Sequence, residues 1–161
     1  MDTIYLSASF SLQQMLNSRT ANQKGITEQY TPSNETISNL RALCSQLLEP
    51  LRAKIGKPVI ITSGYRCPRL NAVVGGVNTS NNVSQHTKGE AADTYVEGMT
   101  IEEWYQFIKT SGLAFDQLIQ EFDSWAHVSF NAGGIQRGQC LRIHKGGNYV
   151  ADGHGSFKGI L

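Results

Sequence analysis

Ser84-Gln85-His86-Thr87-Lys88-Gly89-Glu90-Ala91-Ala92-Asp93 sets an imidazole and a carboxylate seven positions apart. Gly89 between them allows a sharp turn, and the small Ala91 and Ala92 let the chain re-enter a packed core. Downstream, Trp125-Ala126-His127-Val128-Ser129 brings a second imidazole, preceded by Glu121. Two histidines and one aspartate are a three-ligand set for a divalent cation, Zn2+ before others, because zinc accepts imidazole nitrogen and carboxylate oxygen. A catalytic zinc site uses three protein ligands and keeps a position for water, and His86, Asp93 and His127 meet that count. A nearby free carboxylate then serves as proton acceptor for the acidified water. Glu121 is the candidate. Asp123 is its rival, being closer to His127 along the chain but in an expected turn.

Strand geometry is what makes Glu121 a candidate. Alternation places Trp125, His127 and Ser129 on one face, and Ala126, Val128 and Phe130 on the other. The same rule groups Ile119 with Glu121. A hairpin turning at Asp123-Ser124 lays Glu121 beside His127 on the face that holds the cation. Strands are expected over 115–122 and 125–130, with another over 92–96 leaving the first ligand cluster. A short buried strand at 58–63 ends in Ser63-Gly64-Tyr65-Arg66-Cys67-Pro68, read as a turn. Leu141-Arg142-Ile143 is a last short strand.

Helices frame these strands. Pro32-Ser33-Asn34-Glu35 starts a helix over 33–55, with Ile37, Leu40, Leu43, Cys44, Leu47, Leu48 and Leu51 on one apolar stripe. Pro50 is expected to kink or divide it, and Gly56 to end it. Thr100 with Glu103 makes a capping box for a helix that runs to about Thr110 and is stopped by Gly112. Residues 1–32 read as a loosely structured N-terminal arm with a short helix near Ser9 or Ser11. Residues 132–161 read as a glycine-rich C-terminal extension in which His144 and His154 are solvated. The whole is one domain over 1–161, with its motif-bearing core at about 33–131. Its class is α+β, a small, mainly antiparallel sheet with helices on one side.

Composition narrows the function classes. Formal net charge is +1, and no basic block is interleaved with aromatics, so nucleic-acid binding is not expected. No apolar run approaches the ~20 residues needed to span a membrane. Cys44, Cys67 and Cys140 are odd in number and widely spaced, which is neither a disulfide framework nor a zinc-thiolate pattern. They read as free thilols of a reducing compartment. The N-terminus lacks a basic segment followed by an apolar one, so synthesis in the cytoplasm without a signal peptide is expected.

Ser84-x-His86-x-x-Gly89-x-Ala91-x-Asp93 resembles the signature of the zinc D-alanyl-D-alanine carboxypeptidases and dipeptidases. Ser63-Gly64-Tyr65-Arg66-x-Pro68-x-Leu70-Asn71 is similar to the strand-exit motif of that family. Phe115-Asp116-Gln117-Leu118-Ile119-x-Glu121 with Trp125-x-His127-Val128-Ser129 is similar to its final hairpin. The resemblance implies a hedgehog/D-Ala-D-Ala peptidase-like fold, zinc held by His86, Asp93 and His127, and Glu121 as catalytic acid/base. The zinc site of hedgehog signalling domains has a similar spacing, with its carboxylate six residues before the last histidine. Many family members carry an acid three residues before that histidine, where this chain has Ser124, which keeps Asp123 in contention.

The resemblance also implies a catalytic role for Arg66, polarising a scissile carbonyl or gripping a substrate carboxylate. Ser84 either binds substrate or shapes the turn before His86. Tyr65 either walls the cleft or packs in the core. The implied activity is hydrolysis of a peptidoglycan stem or cross-bridge peptide, by a carboxypeptidase or an endopeptidase acting as a monomer. Action on the cell wall without a leader suits a phage- or prophage-encoded lysin. The competing reading is a non-catalytic zinc module of the same fold. The placement of Glu121 and the number of protein groups around the cation discriminate between the two.

Overall fold

The computed structural model describes residues 2–157. Its main sheet has six strands: β1 (Ile60–Ser63), β4 (Ala91–Tyr95), β5 (Gln117–Glu121), β6 (Trp125–Ser129), β7 (Gln139–Ile143) and β8 (Val150–His154). A short helix, α5 (Pro68–Val73), follows β1, and a separate small hairpin pairs β2 (Asn78–Thr79) with β3 (Asn82–Val83). The order in the main sheet is β1-β4-β6-β5-β7-β8, antiparallel throughout except for the parallel pair β5–β7. With its helices this is the expected α+β class.

Register decides where the chemistry sits. Asp93 stands opposite both Ser63 and His127, and His127 stands opposite Ile119, which stands opposite Leu141. Residues directly opposite share a face. One row of side chains therefore crosses the sheet from Ser63 to Leu141. The other face, with Ala92, Leu118, Val128 and Cys140, is fully buried and joins one continuous apolar core.

Helix α6 (Ile101–Lys109) lies against β5 and β6 on that core face. Thr100 and Glu103 form the predicted capping box, and Trp104 Nε1–H donates to Thr94 Oγ1 at 2.9 Å. The long helix is continuous from α3 (Asn34–Leu43) to α4 (Glu49–Ile55) through a wider π-helical stretch, Cys44–Leu48. Pro50 has no N–H to donate, and the ladder adjusts just before it: the Glu49 N–H reaches back to the Cys44 carbonyl. The expected kink is thus absorbed as a bulge, and Gly56 ends the helix in the left-handed region.

The two terminal segments differ from expectation. The N-terminal arm is packed, not loose. Ser11 and Ser18 cap α1 (Leu12–Leu16) and α2 (Arg19–Lys24), and Phe10, Met15, Ala21 and Ile26 are each at most 1% exposed. The elements are too short for an apolar stripe to show a period, so their anchors look scattered in sequence. Gln29 is wholly buried and holds the Tyr65 loop: Nε2 donates to the Leu16 and Tyr65 carbonyls, and Oε1 accepts from Cys67 N–H. The C-terminal extension is likewise part of the sheet, since β7 and β8 widen it by two strands. No helix among the described residues is long and apolar enough to cross a membrane.

Candidate metal centre and cleft

A 3-10 turn, Gln85–Lys88, presents His86, and Gly89 closes it at φ +75. A Cβ there would lie 2.7 Å from the Thr36 carbonyl oxygen, so α3 packs against the turn only because position 89 has no side chain. The chain then enters β4 and delivers Asp93. The β5–β6 hairpin delivers His127 from the neighbouring strand.

The three predicted ligands converge. His86 Nε2, Asp93 Oδ1 and His127 Nδ1 lie 3.2 Å from one another on every side of a triangle. Ligand atoms of a tetrahedral ion with bonds of ~2.0–2.1 Å stand ~3.3 Å apart. All three groups are buried, and no other Cys, Asp, Glu or His among the described residues joins them as a ligand candidate. His86 Nδ1 is 2.7 Å from the Gly64 carbonyl, which can only accept, so the proton sits on Nδ1 and the Nε2 lone pair faces inward. With their lone pairs turned inward, the three atoms are spaced as ligands of one cation. The residues present therefore fit a metal ion of zinc's size and ligand preference.

Burial pushes the Asp93 carboxyl upward, but positive charge facing it, whether on protonated His86 and His127 or on a cation held between the three groups, pulls it well below the usual range. Arg66 adds a further clamp. Its Nη2 donates to Asp93 Oδ2 at 3.0 Å, and its Nε donates to Ser63 Oγ at 3.0 Å. The guanidinium thus orients the ligand carboxylate while its outer edge lines the cleft.

Glu121 Oε1 lies 3.9 Å from His127 Nδ1, near the triangle without belonging to it. Burial raises its carboxyl above the ordinary value; Asp93 adds to the rise, and His127 and Arg66 oppose it. The hairpin turn is centred on Phe122 and Asp123, at φ 59 and 52, one position earlier than expected. Ser124 N–H closes it on the Glu121 carbonyl. This turn carries Asp123 to Gln120, which belongs to the opposite face and whose amide engages its carboxylate. Asp123 is absent from the cleft lining, so Glu121 is the carboxylate beside the triangle.

Ser84 performs the turn-shaping role. Its Oγ accepts from His86 N–H at 3.3 Å, and its side of the turn also faces the cleft. Tyr65 does not wall the cleft: it is 8% exposed and belongs to the core, where its N–H donates to the Met15 carbonyl. Tyr65, two residues past the end of β1, takes the core position of its two alternatives, which corrects the expectation of a substrate contact.

The cleft has a volume of about 630 Å³. Its floor is the sheet face bearing Gln117, Ile119, Glu121, Trp125 and His127. One wall is the β2–β3 hairpin, with Val74, Val77 and Val83. The other comes from the C-terminal segment, with Arg137, Gln139, Leu141 and Tyr149. The sequence reading missed this second wall. Asp116 of the hairpin motif has partners the sequence did not show: it is 3% exposed, accepts from Arg137 Nε and Nη2 at 3.0 and 2.8 Å, and accepts from Gln85 Nε2 at 3.0 Å. Asp116 thereby ties the residue beside His86 to the C-terminal segment. Ion pairing that follows a 21-residue gap leaves no local signal in sequence.

A three-donor cation site on the floor of an open cleft, with a free carboxylate beside it, is the layout of a metallohydrolase. The family can be named as well. The family model described as Peptidase M15 matches residues 8–129, well over half of the chain, and the chain belongs to that family. It is therefore a peptidase by family, of a metallo-enzyme type, with peptides as its substrate class. A search of curated proteins gave no match.

Proposed function

We propose that the protein is a zinc-dependent peptidase that hydrolyses a peptide bond of peptidoglycan, as a D-Ala-D-Ala carboxypeptidase or a murein endopeptidase. The observation that carries this reading is Glu121 set beside, and outside, the His86–Asp93–His127 triangle. A protein group filling the fourth position would favour a binding module instead, and none of the described ligand-type residues does so.

Bound zinc supplies Lewis acidity that polarises an amide carbonyl and acidifies a water. Glu121 takes a proton from the attacking water and returns it to the leaving amine. His86 is held in its working tautomer by Gly64, and Asp93 is held in place by Arg66. The Arg66 edge that faces the cleft is available to a substrate carbonyl or carboxylate. The cell wall is the proposed place of action, and a monomer the proposed form.

The test is incubation of purified sacculi with wild type and Glu121→Gln, with the products read by mass spectrometry. Turnover is expected to fall at least ~100-fold in the variant, with bound zinc retained. Equal release by the two proteins would remove Glu121 from the mechanism. Product masses report whether terminal D-Ala or an internal bond is cut.

A further inference from the structure

The family match ends at residue 129, yet the cleft does not. Strands β7 and β8 continue the sheet beyond β5, and the segment 137–149 forms an entire side of the groove. We infer that this C-terminal segment is the substrate-selecting wall of the cleft and that Tyr149 is its substrate-contacting residue. The inference rests on the peptidase reading and deepens it.

Three observations support it. First, Leu141 ends the row Asp93–His127–Ile119–Leu141, so the wall rises from the same line of residues that bears the cation site. Second, the wall is fixed. Arg142 forks onto Glu102 of α6 at 2.6 and 2.8 Å and donates from Nε to Asp152 of β8 at 3.0 Å. Tyr105 O–H also donates to Asp152, at 2.6 Å. A two-strand extension held this way is a positioned surface. Third, Tyr149 is 51% exposed, lines the cleft, and its hydroxyl has no hydrogen-bond partner among the described residues.

A phenol offers a flat face to a peptide and a hydroxyl to its backbone carbonyl. An ordinary phenol titrates at ~10, so the Tyr149 hydroxyl keeps its proton at neutral pH and is a donor. On the opposite side, Arg66 has spent Nε and Nη2 on Ser63 and Asp93. Tyr149 supplies a neutral hydroxyl donor from the facing wall.

The test compares wild type, Tyr149→Phe and Tyr149→Ala on soluble muropeptides released from sacculi by a muramidase. Removing the hydroxyl is expected to lower kcat/KM about tenfold or more, and removing the ring is expected to raise KM further. Zinc content and thermal midpoint should stay at wild-type values, because the side chain is half in solvent. A second readout is co-sedimentation of Glu121→Gln with intact sacculi, which added Tyr149→Ala should reduce at least fivefold. Turnover and sedimentation that are both unchanged by the Tyr149 variants overturn the inference and leave the peptidase reading standing. Absence of turnover in wild type with Tyr149-dependent sedimentation overturns the peptidase reading alone. Absence of both turnover and sedimentation overturns both.

Discussion

The floor of the cleft and its C-terminal wall are held by opposite means. On the floor, His86, Asp93 and His127 are at most 6% exposed, and each is set by backbone register, a tight turn or a buried partner. The wall hangs on charge pairs that solvent reaches: the Arg142 and Glu102 side chains are 26% and 44% exposed. Buried polar groups are costly unless fully paired, so the floor tolerates little change. Exposed pairs contribute little each, so the wall can vary without unfolding the domain. The difference teaches which part of such a molecule sets the chemistry and which part is free to set the substrate.

The sharpest break of that comparison is Asp93→Asn. It keeps the shape and removes the charge that balances a cation. Zinc affinity is expected to fall by more than the ~10–100-fold typical of changes in outer partners. Arg66→Gln, whose site reaches the triangle only through the outer oxygen of Asp93, should fall within that range. Competition with a chelator measures both. Equal losses would mean that the guanidinium, and not the triangle, carries the site.

The contrast between floor and wall also explains what the sequence made legible. His86 and Asp93 are near neighbours along the chain, and strand alternation across one turn pairs Glu121 with His127; what joins these two pairs, with Asp93 and His127 34 positions apart, is the family resemblance and not a local pattern. Gly89, the capping box at Thr100 and the apolar stripe of the long helix are local signals of the first kind. The parts that stayed hidden are those whose partners are distant. Gln29 reads as a polar loop residue until Tyr65 and Cys67 are folded onto it. The segment 139–154 is weakly patterned because β7 is only partly buried and β8 is largely exposed, so neither shows a clean alternation. Tyr65 stayed open between cleft and core for a related reason: its neighbour Arg66 faces the cleft, and a turn gives no rule for which of two adjacent side chains does.

Gly89→Ala tests whether the floor is as intolerant as its burial implies. The substitution imposes a left-handed backbone on a residue with a side chain and drives a Cβ to within 2.7 Å of a backbone oxygen. A loss of ~2 kcal/mol is expected, or a fall of ~4–8 °C in thermal midpoint. Because the same turn carries His86, zinc affinity should weaken with it. An unchanged midpoint would mean that α3 yields freely at Thr36 and that the turn is not tightly held. Gly146→Ala in the β7–β8 loop is the matched control: it also has positive φ, at +76, but nothing lies within 4 Å of the added atom. It should carry the backbone strain without the clash and leave zinc binding intact.

The smallest effect expected is on the wall, and pH reveals it. The Arg142 guanidinium, with burial opposing, holds the Glu102 carboxyl down at about 2, against an ordinary value of 4.5. A carboxyl whose folded pKa is depressed adds stability that is fully present above its unfolded value and is lost as pH falls toward the folded one. Wild type should therefore exceed Glu102→Gln in urea midpoint at pH 6, and the gap should close between about 4.5 and 2. Solvent screening at this exposed pair limits the difference to ~1 kcal/mol or less, and added salt should shrink it further. Turnover at pH 6 should drop more than this small stability change explains, because β7 and Tyr149 lose part of their tether while the donor triangle keeps its own. A variant that lost stability and turnover in strict proportion would argue that the wall and the floor unfold as one unit, and the distinction between them would fall.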